Sequence, residues 1–307
     1  MPLLDALRAL TSFSPPAALP ACDPALLGDV LEAHGLAPFA SYQLEQHRLG
    51  ATAPEALRER LLTSYQGVVN DNVLKLVALR ALLRDVSGLR IVLLEAAAYV
   101  DWLYPHVAFR PVGDIRMAVT AIDAPRLVEA SQGALRVVRT EHGGRSAFFT
   151  DGKITLALQE GLWAGGAADG PLFERARPHR VFGPSAHRPS PEDAVLATVA
   201  EQALLGLHAP LLTFVDLREL LALPLDDGHL RARAEALGLS RALHGAMLLV
   251  AHFFPETADA AARVRPALGF AERVAVERVV EAAKDPARLR HLRGADAAAR
   301  LVVAPPA

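Results

Sequence analysis

The feature that most constrains this chain is a change of hydrophobic period, from helix to strand and back again. Residues 54–88 hold apolar side chains at spacings of three and four, behind Pro54 and ahead of Gly88. That pattern predicts one long amphipathic helix. Upstream, Asp23-Pro24 opens a further helix through LLGDVLEAHGL, with Asp23 as N-cap and Pro24 in the first turn. From Arg90 the period shortens. RIVLL, the stretch from Ile115 to Val119, ALRVVRT, SAFFT and KITLAL read as strands, with EAAAYVDWLY as a helix among them. Turns are expected at the glycines 143–144 and at Asp151-Gly152. A Gly-, Pro- and Arg-rich loop runs from Gly165 to about Ser190, and from Pro191 the chain returns to helix.

A small mixed sheet between two helical stretches is an α+β architecture. The expected division is residues 1–88 as an N-terminal helical segment, 89–170 as an α/β core, and 171–307 as a helical C-terminal domain. With 307 residues and 52% hydrophobic content, there is ample material for a buried interior.

Composition narrows the function classes. The formal net charge is −2, so there is no electrostatic reason to expect nucleic acid or an anionic membrane as partner. Lysine occurs only at 75, 153 and 284, so the cations are almost all arginine. Beside abundant Ala, Leu and Pro, this reads as bacterial, GC-rich coding. The single cysteine, Cys22, excludes an intramolecular disulfide and any multi-cysteine metal site. With no signal-peptide pattern and no long apolar run, a cytoplasmic protein without a membrane span is expected.

Chemistry is sought in the middle stretch, IVLLEAAAYVDWLYPHVAFRPVGDIRMAV. Tyr104-Pro105, Arg110-Pro111 and Asp114-Ile115 stand there in an order and spacing that resemble the uncharacterised bacterial nucleotidyltransferases of the DNA polymerase β-like superfamily. The likeness spans about residues 25 to 255. It takes in HGLAPF, the helix with VVNDNVLKLVALRALL, SPEDAVLATVAEQALL, and the Asp216-Leu217 pair within LLTFVDLRELLAL. The resemblance implies a nucleotidyltransferase core in which a strand ends in Leu-Lys-Gly. The next strand would carry Asp-Ile-Asp, and a later one would supply an acid. Two carboxylates at i and i+2 share a strand face, where they can hold the divalent ion that nucleotidyl transfer needs.

This chain departs from that pattern at nearly every point. Glu95-Ala96 stands where the family has Lys-Gly, and Arg116 where it has the second aspartate. Leu156-Ala157-Leu158-Gln159 stands where it has an acid and a histidine. Asp114 alone remains. A guanidinium at Arg116 would repel a divalent ion. The expectation is a vestigial site in which Glu95, Arg116 and Asp114 form an ion-pair cluster, with no catalytic residue, no metal and no cofactor.

Other candidates are weaker. Asp101, Asp123, Glu141, Asp151 and Glu160 could supply replacement carboxylates, although strand alternation turns Glu160 away from Ala157 and Gln159. His244 and His252 lie eight apart, too far for one ion. His106 is read as structural. Gly165-Gly166 lacks the lysine of a phosphate loop. The basic run at 173–188 could meet a phosphate or an acidic partner, with a solvated loop as the simpler reading. The functional expectation is a pseudoenzyme that binds a protein partner or small ligand. The alternative is an active enzyme with relocated residues, which would require Mg²⁺ and an NTP. Oligomeric state is left open.

Overall fold

A computed structural model describes residues 2–305 except 17, 87, 131–134, 142–145 and 290–296. The chain begins with helices α1 (Pro2–Leu10), α2 (Pro24–Ala33) and α3 (Ala37–Gln46), a 3₁₀ turn at Arg48–Thr52, and the long α4 (Glu55–Asp85). Asp23 caps α2 by accepting from the Ala25 amide at 3.0 Å. The expected single helix through HGL breaks at Gly35, whose φ of +69° suits glycine, and restarts as α3.

The core then alternates strand and helix: β1 (Ile91–Leu93), α5 (Glu95–Tyr99), β2 (Ile115–Ala118), α6 (Asp123–Ala130), β3 (Arg136–Glu141), β4 (Ser146–Thr150) and β5 (Thr155–Gln159). Helix α5 covers only the first half of the helix expected from EAAAYVDWLY, since Asp101 turns the chain with φ +57°. The β4–β5 turn forms at Asp151-Gly152, where Asp151 Oδ1 accepts from the amides of Lys153 and Ile154. The turn expected at 143–144 lies outside the described residues.

Beyond residue 170 the sheet does not stop. The segment expected to be a solvated loop holds α7 (Gly170–Arg175), β6 (Arg177–Pro178) and β7 (Ala186–Arg188). β7 pairs in parallel with β1, placing Ala186 beside Ile91. The sheet order is β3-β4-β5-β2-β1-β7-β6, and both parallel and antiparallel ladders occur. Burial follows this order. β1 is buried throughout because it has strands on both sides, whereas β3 is exposed at one edge. At the other edge, Pro178 sits in β6, where a missing N–H costs no ladder bond.

Helices α8 (Pro191–Leu204), α9 (Leu211–Leu221), α10 (Asp227–Ala236), α11 (Ser240–Phe253), α12 (Ala258–Val264), α13 (Phe270–Ala283), α14 (Pro286–Leu289) and α15 (Ala297–Val303) complete the fold. Ser190 caps α8, its hydroxyl accepting from the Asp193 amide. One continuous apolar core runs through all three stretches distinguished in the sequence. Arg8 of α1 bonds the carbonyls of His252 and Phe253, and Arg218 of α9 reaches back to the Thr11 carbonyl. The molecule is α+β, with a mixed sheet flanked by helices.

Candidate functional site

The site lies where β1 ends and β2 runs alongside it. Leu93 is registered against Met117, and the Leu94 amide donates to the Arg116 carbonyl at 2.9 Å. The next residue, Glu95, takes φ +51°, a left-handed conformation that a residue with a Cβ adopts only under constraint. That turn starts α5 and aims the Glu95 side chain at β2. Arg116 sits on β2 between buried Ile115 and Met117, and its Nε lies 3.1 Å from Glu95 Oε1.

Two of the three residues expected to cluster are therefore in contact. The third goes elsewhere. Asp114 is exposed, and the ion pair it makes is with Arg139 of β3, at 3.5 Å. Arg139 is shared with Glu141 at 2.9 Å and lies over the Phe148 ring at 3.7 Å. Asp114 immediately precedes β2 and Arg116 lies on it, and the cation that reaches Asp114 comes from the sheet edge. On the neighbouring strand, Ala157 stands in register with Arg116 and Gln159 with Ala118. A methyl group thus stands beside Arg116 on β5.

Behind this pair is a buried polar layer. Arg110 Nε meets Asp216 Oδ2 at 2.9 Å, and the Tyr104 hydroxyl donates to Asp216 Oδ1. The Asp216 side chain is 1% exposed and that of Arg110 is 14% exposed. The Tyr99 hydroxyl is 2.7 Å from Thr198 Oγ1 of α8. From α4, the Asn72 amide donates to the carbonyls of Val107 and Arg110 and accepts from the Val112 amide. Lys75 adds a bond to the Val112 carbonyl at 2.6 Å. The long helix thus holds the 107–112 loop, and Arg110 ties that loop to α9.

The electrostatics follow from burial. Burial pushes Glu95 up to about 8, with the nearby Glu201 carboxylate adding to the rise and Arg116 and Arg110 opposing it. Burial likewise pushes Asp216 up to about 6, against the pull of Arg110 and the Tyr104 bond. The Tyr104 hydroxyl is held well above its ordinary value by burial and by the Asp216 charge. Glu201 Oε2 is buried without a hydrogen-bond partner.

The remaining sequence candidates do not join the site. Asp123 pairs with Arg126, Glu141 with Arg139, and Asp151 caps its own turn. Glu160 lines an apolar cleft of about 560 Å³ between α6 and the sheet. His106 stacks among Tyr42, Tyr65 and Phe109, a packing role. His244 bonds the Pro266 carbonyl at 2.9 Å. Gly165-Gly166 forms a tight turn in which the Gly165 amide donates to Ser146. Among the described residues, no three His, Cys, Asp or Glu side chains are grouped so as to hold a metal ion.

Sequence reasoning named Tyr104, Arg110 and Asp216 as markers without joining them, and it passed over Glu201, Asn72, Tyr99 and Thr198. The available signal was a lone acid inside the apolar LLTFVDL, since a carboxylate on a buried helix face needs a cation. The model of the family described as "Uncharacterised nucleotidyltransferase" matches residues 20–255. No curated protein and no solved structure matches the chain.

Proposed function

The chain belongs to the uncharacterised nucleotidyltransferase family, and on that premise we propose that it is a member that no longer transfers nucleotides and instead binds a protein or small ligand. The observation that carries this reading is the contact between Arg116 and Glu95 at 3.1 Å. It stands where the family pattern has an aspartate on one strand and a lysine at the end of the other. A divalent ion there would meet a guanidinium. The oxygens needed to outweigh that repulsion are missing, because Ala157 has none and Asp114 is engaged by Arg139. The residues present do not fit the ion that family chemistry requires.

The retained scaffold supports binding rather than decay. The Arg110–Asp216–Tyr104 layer is intact and buried, and it holds the connection between α5 and β2 against α9. The arginine bias and the single Cys22 support a bacterial, cytoplasmic setting. One observation favours the rival reading, an active enzyme with relocated residues. Glu201 Oε2, buried and unpartnered close to Glu95, is a carboxylate with capacity to spare.

Calorimetric titration with each of the four NTPs, with and without Mg²⁺, separates the two. No heat that depends on Mg²⁺ is expected with any of the four. Magnesium-dependent binding that disappears in Glu201→Gln would overturn the pseudoenzyme reading and establish the rival.

A further inference from the structure

The basic run at 173–188 divides into two parts with different environments. Its first arginine, Arg175, is ion-paired: it meets Glu192 at 2.6 Å and Asp193 at 3.3 Å. Asp193 is completely buried and also takes Arg233 of α10. That network fixes α7 against α8 and α10. The later arginines have no such partners. Among the described residues, neither Arg90, Arg177, Arg180 nor Arg188 lies within ion-pair distance of a carboxylate.

These four side chains come from neighbouring positions. Arg177 of β6 is registered directly opposite Arg188 of β7. Like charges facing each other across a strand pair destabilise it, and exchanging either residue would remove the cost. Arg188 lies over the Trp102 ring at 4.0 Å, and its Nη1 is buried with no hydrogen-bond partner. A buried charged donor left unpaired is expensive. Arg180 sits in the connection between the two strands, and Arg90 precedes β1, which pairs with β7. Burial lowers Arg188 below its ordinary value, and the charges of Arg177 and Arg180 lower it further. Burial and Arg90 lower His187 similarly. Burial pushes His179 down to about 4, and the Asp101 carboxylate acts against that fall.

We propose that the β6–β7 hairpin is an oxyanion-binding site that takes a phosphate-bearing small molecule through Arg177, Arg180 and Arg188. Phosphate suits the arrangement better than a carboxylate. A single carboxylate is satisfied by one guanidinium fork, whereas a phosphate carries more charge and more acceptor oxygens, enough to join several forks. The Trp102 face holds Arg188 in place, so little side-chain freedom is lost when the anion arrives. The site lies across β1 from the Glu95–Arg116 pair and needs no metal.

The test is calorimetry with sodium pyrophosphate, without divalent ions and at ionic strength held constant with chloride. Saturable binding near one to one is expected. Arg177→Gln, an exposed position, should weaken it by about tenfold or more, the effect of losing one charge-assisted hydrogen bond. The same substitution should raise the melting temperature of the anion-free protein by relieving the opposition to Arg188. Arg60→Gln, whose guanidinium is already held by Asp29 and Glu32, should leave the affinity unchanged. Three results would each overturn the proposal: no saturable heat, an affinity unaltered in Arg177→Gln and Arg188→Gln, or binding confined to oligonucleotides with a steep salt dependence. Because neither Mg²⁺ nor NTP enters this experiment, its outcome is independent of the pseudoenzyme reading.

Discussion

Replacing Arg110 by methionine tests the buried layer behind the candidate site. The substitution keeps most of the apolar stem and removes the charge. It strands the Asp216 carboxylate, whose side chain is 1% exposed and whose remaining partner is the neutral Tyr104 hydroxyl. Breaking a buried pair by removing one member costs about 3–5 kcal/mol. Unfolding entropy is about 2.1 cal/mol/K per residue. For a 307-residue chain this cost corresponds to a fall of about 5–8 °C in melting temperature. The deficit should depend on pH. Asp216 already titrates at about 6 with Arg110 pulling it down, so without Arg110 it titrates higher. At pH 5 the stranded group is protonated and most of the deficit disappears. Arg110→Met combined with Asp216→Asn should recover most of the loss at pH 8, read by urea or thermal denaturation. A deficit under about 1 kcal/mol, independent of pH and additive with Asp216→Asn, would refute the claim that this pair is a coupled unit.

Two further substitutions have clear signs. Glu95 rises from an ordinary 4.5 to about 8 on folding, so the folded chain keeps a proton that the unfolded chain has lost. Stability attributable to Glu95 therefore falls as pH rises from about 4.5 to 8, and Glu95→Gln should flatten the measured slope across that window. An unchanged slope would remove the burial argument for this group. At Gly161 a Cβ would collide with the Ala167 carbonyl oxygen and crowd Gly166, so Gly161→Ala must move backbone. It should cost about 1–3 kcal/mol, as overpacking does, whereas a neutral result in chemical denaturation would mean that this loop yields freely.

Much of the candidate site was legible residue by residue. The oppositely charged pair at 95 and 116 was expected to meet, because both stand at facing positions of the family pattern that the chain resembles. Asp114 was misassigned for a physical reason. A residue at a strand's exposed mouth can be reached by cations from strands farther along the sheet, and Arg139 comes from β3, whose lateral position depends on sheet order. Asp216 illustrates the other limit. A single acid in an apolar helix announces a buried partner, but the partner lies 106 positions away in sequence.

What the sequence determined by itself was the local physics. The period change from helix to strand and back, the capping of α2 by Asp23, the arginine at 116 and alanine at 157, and the near-neutral charge all depend on residues a few positions apart or on composition. Tertiary structure decided which distant groups share a dielectric and a neighbour. It carried the sheet past residue 170, because β7 finds β1 through parallel pairing that no local pattern encodes. It also separated an arginine at 175 that meets two carboxylates from those at 177, 180 and 188, which meet none among the described residues, since a guanidinium is neutralised by what the fold brings beside it and not by its neighbours along the chain.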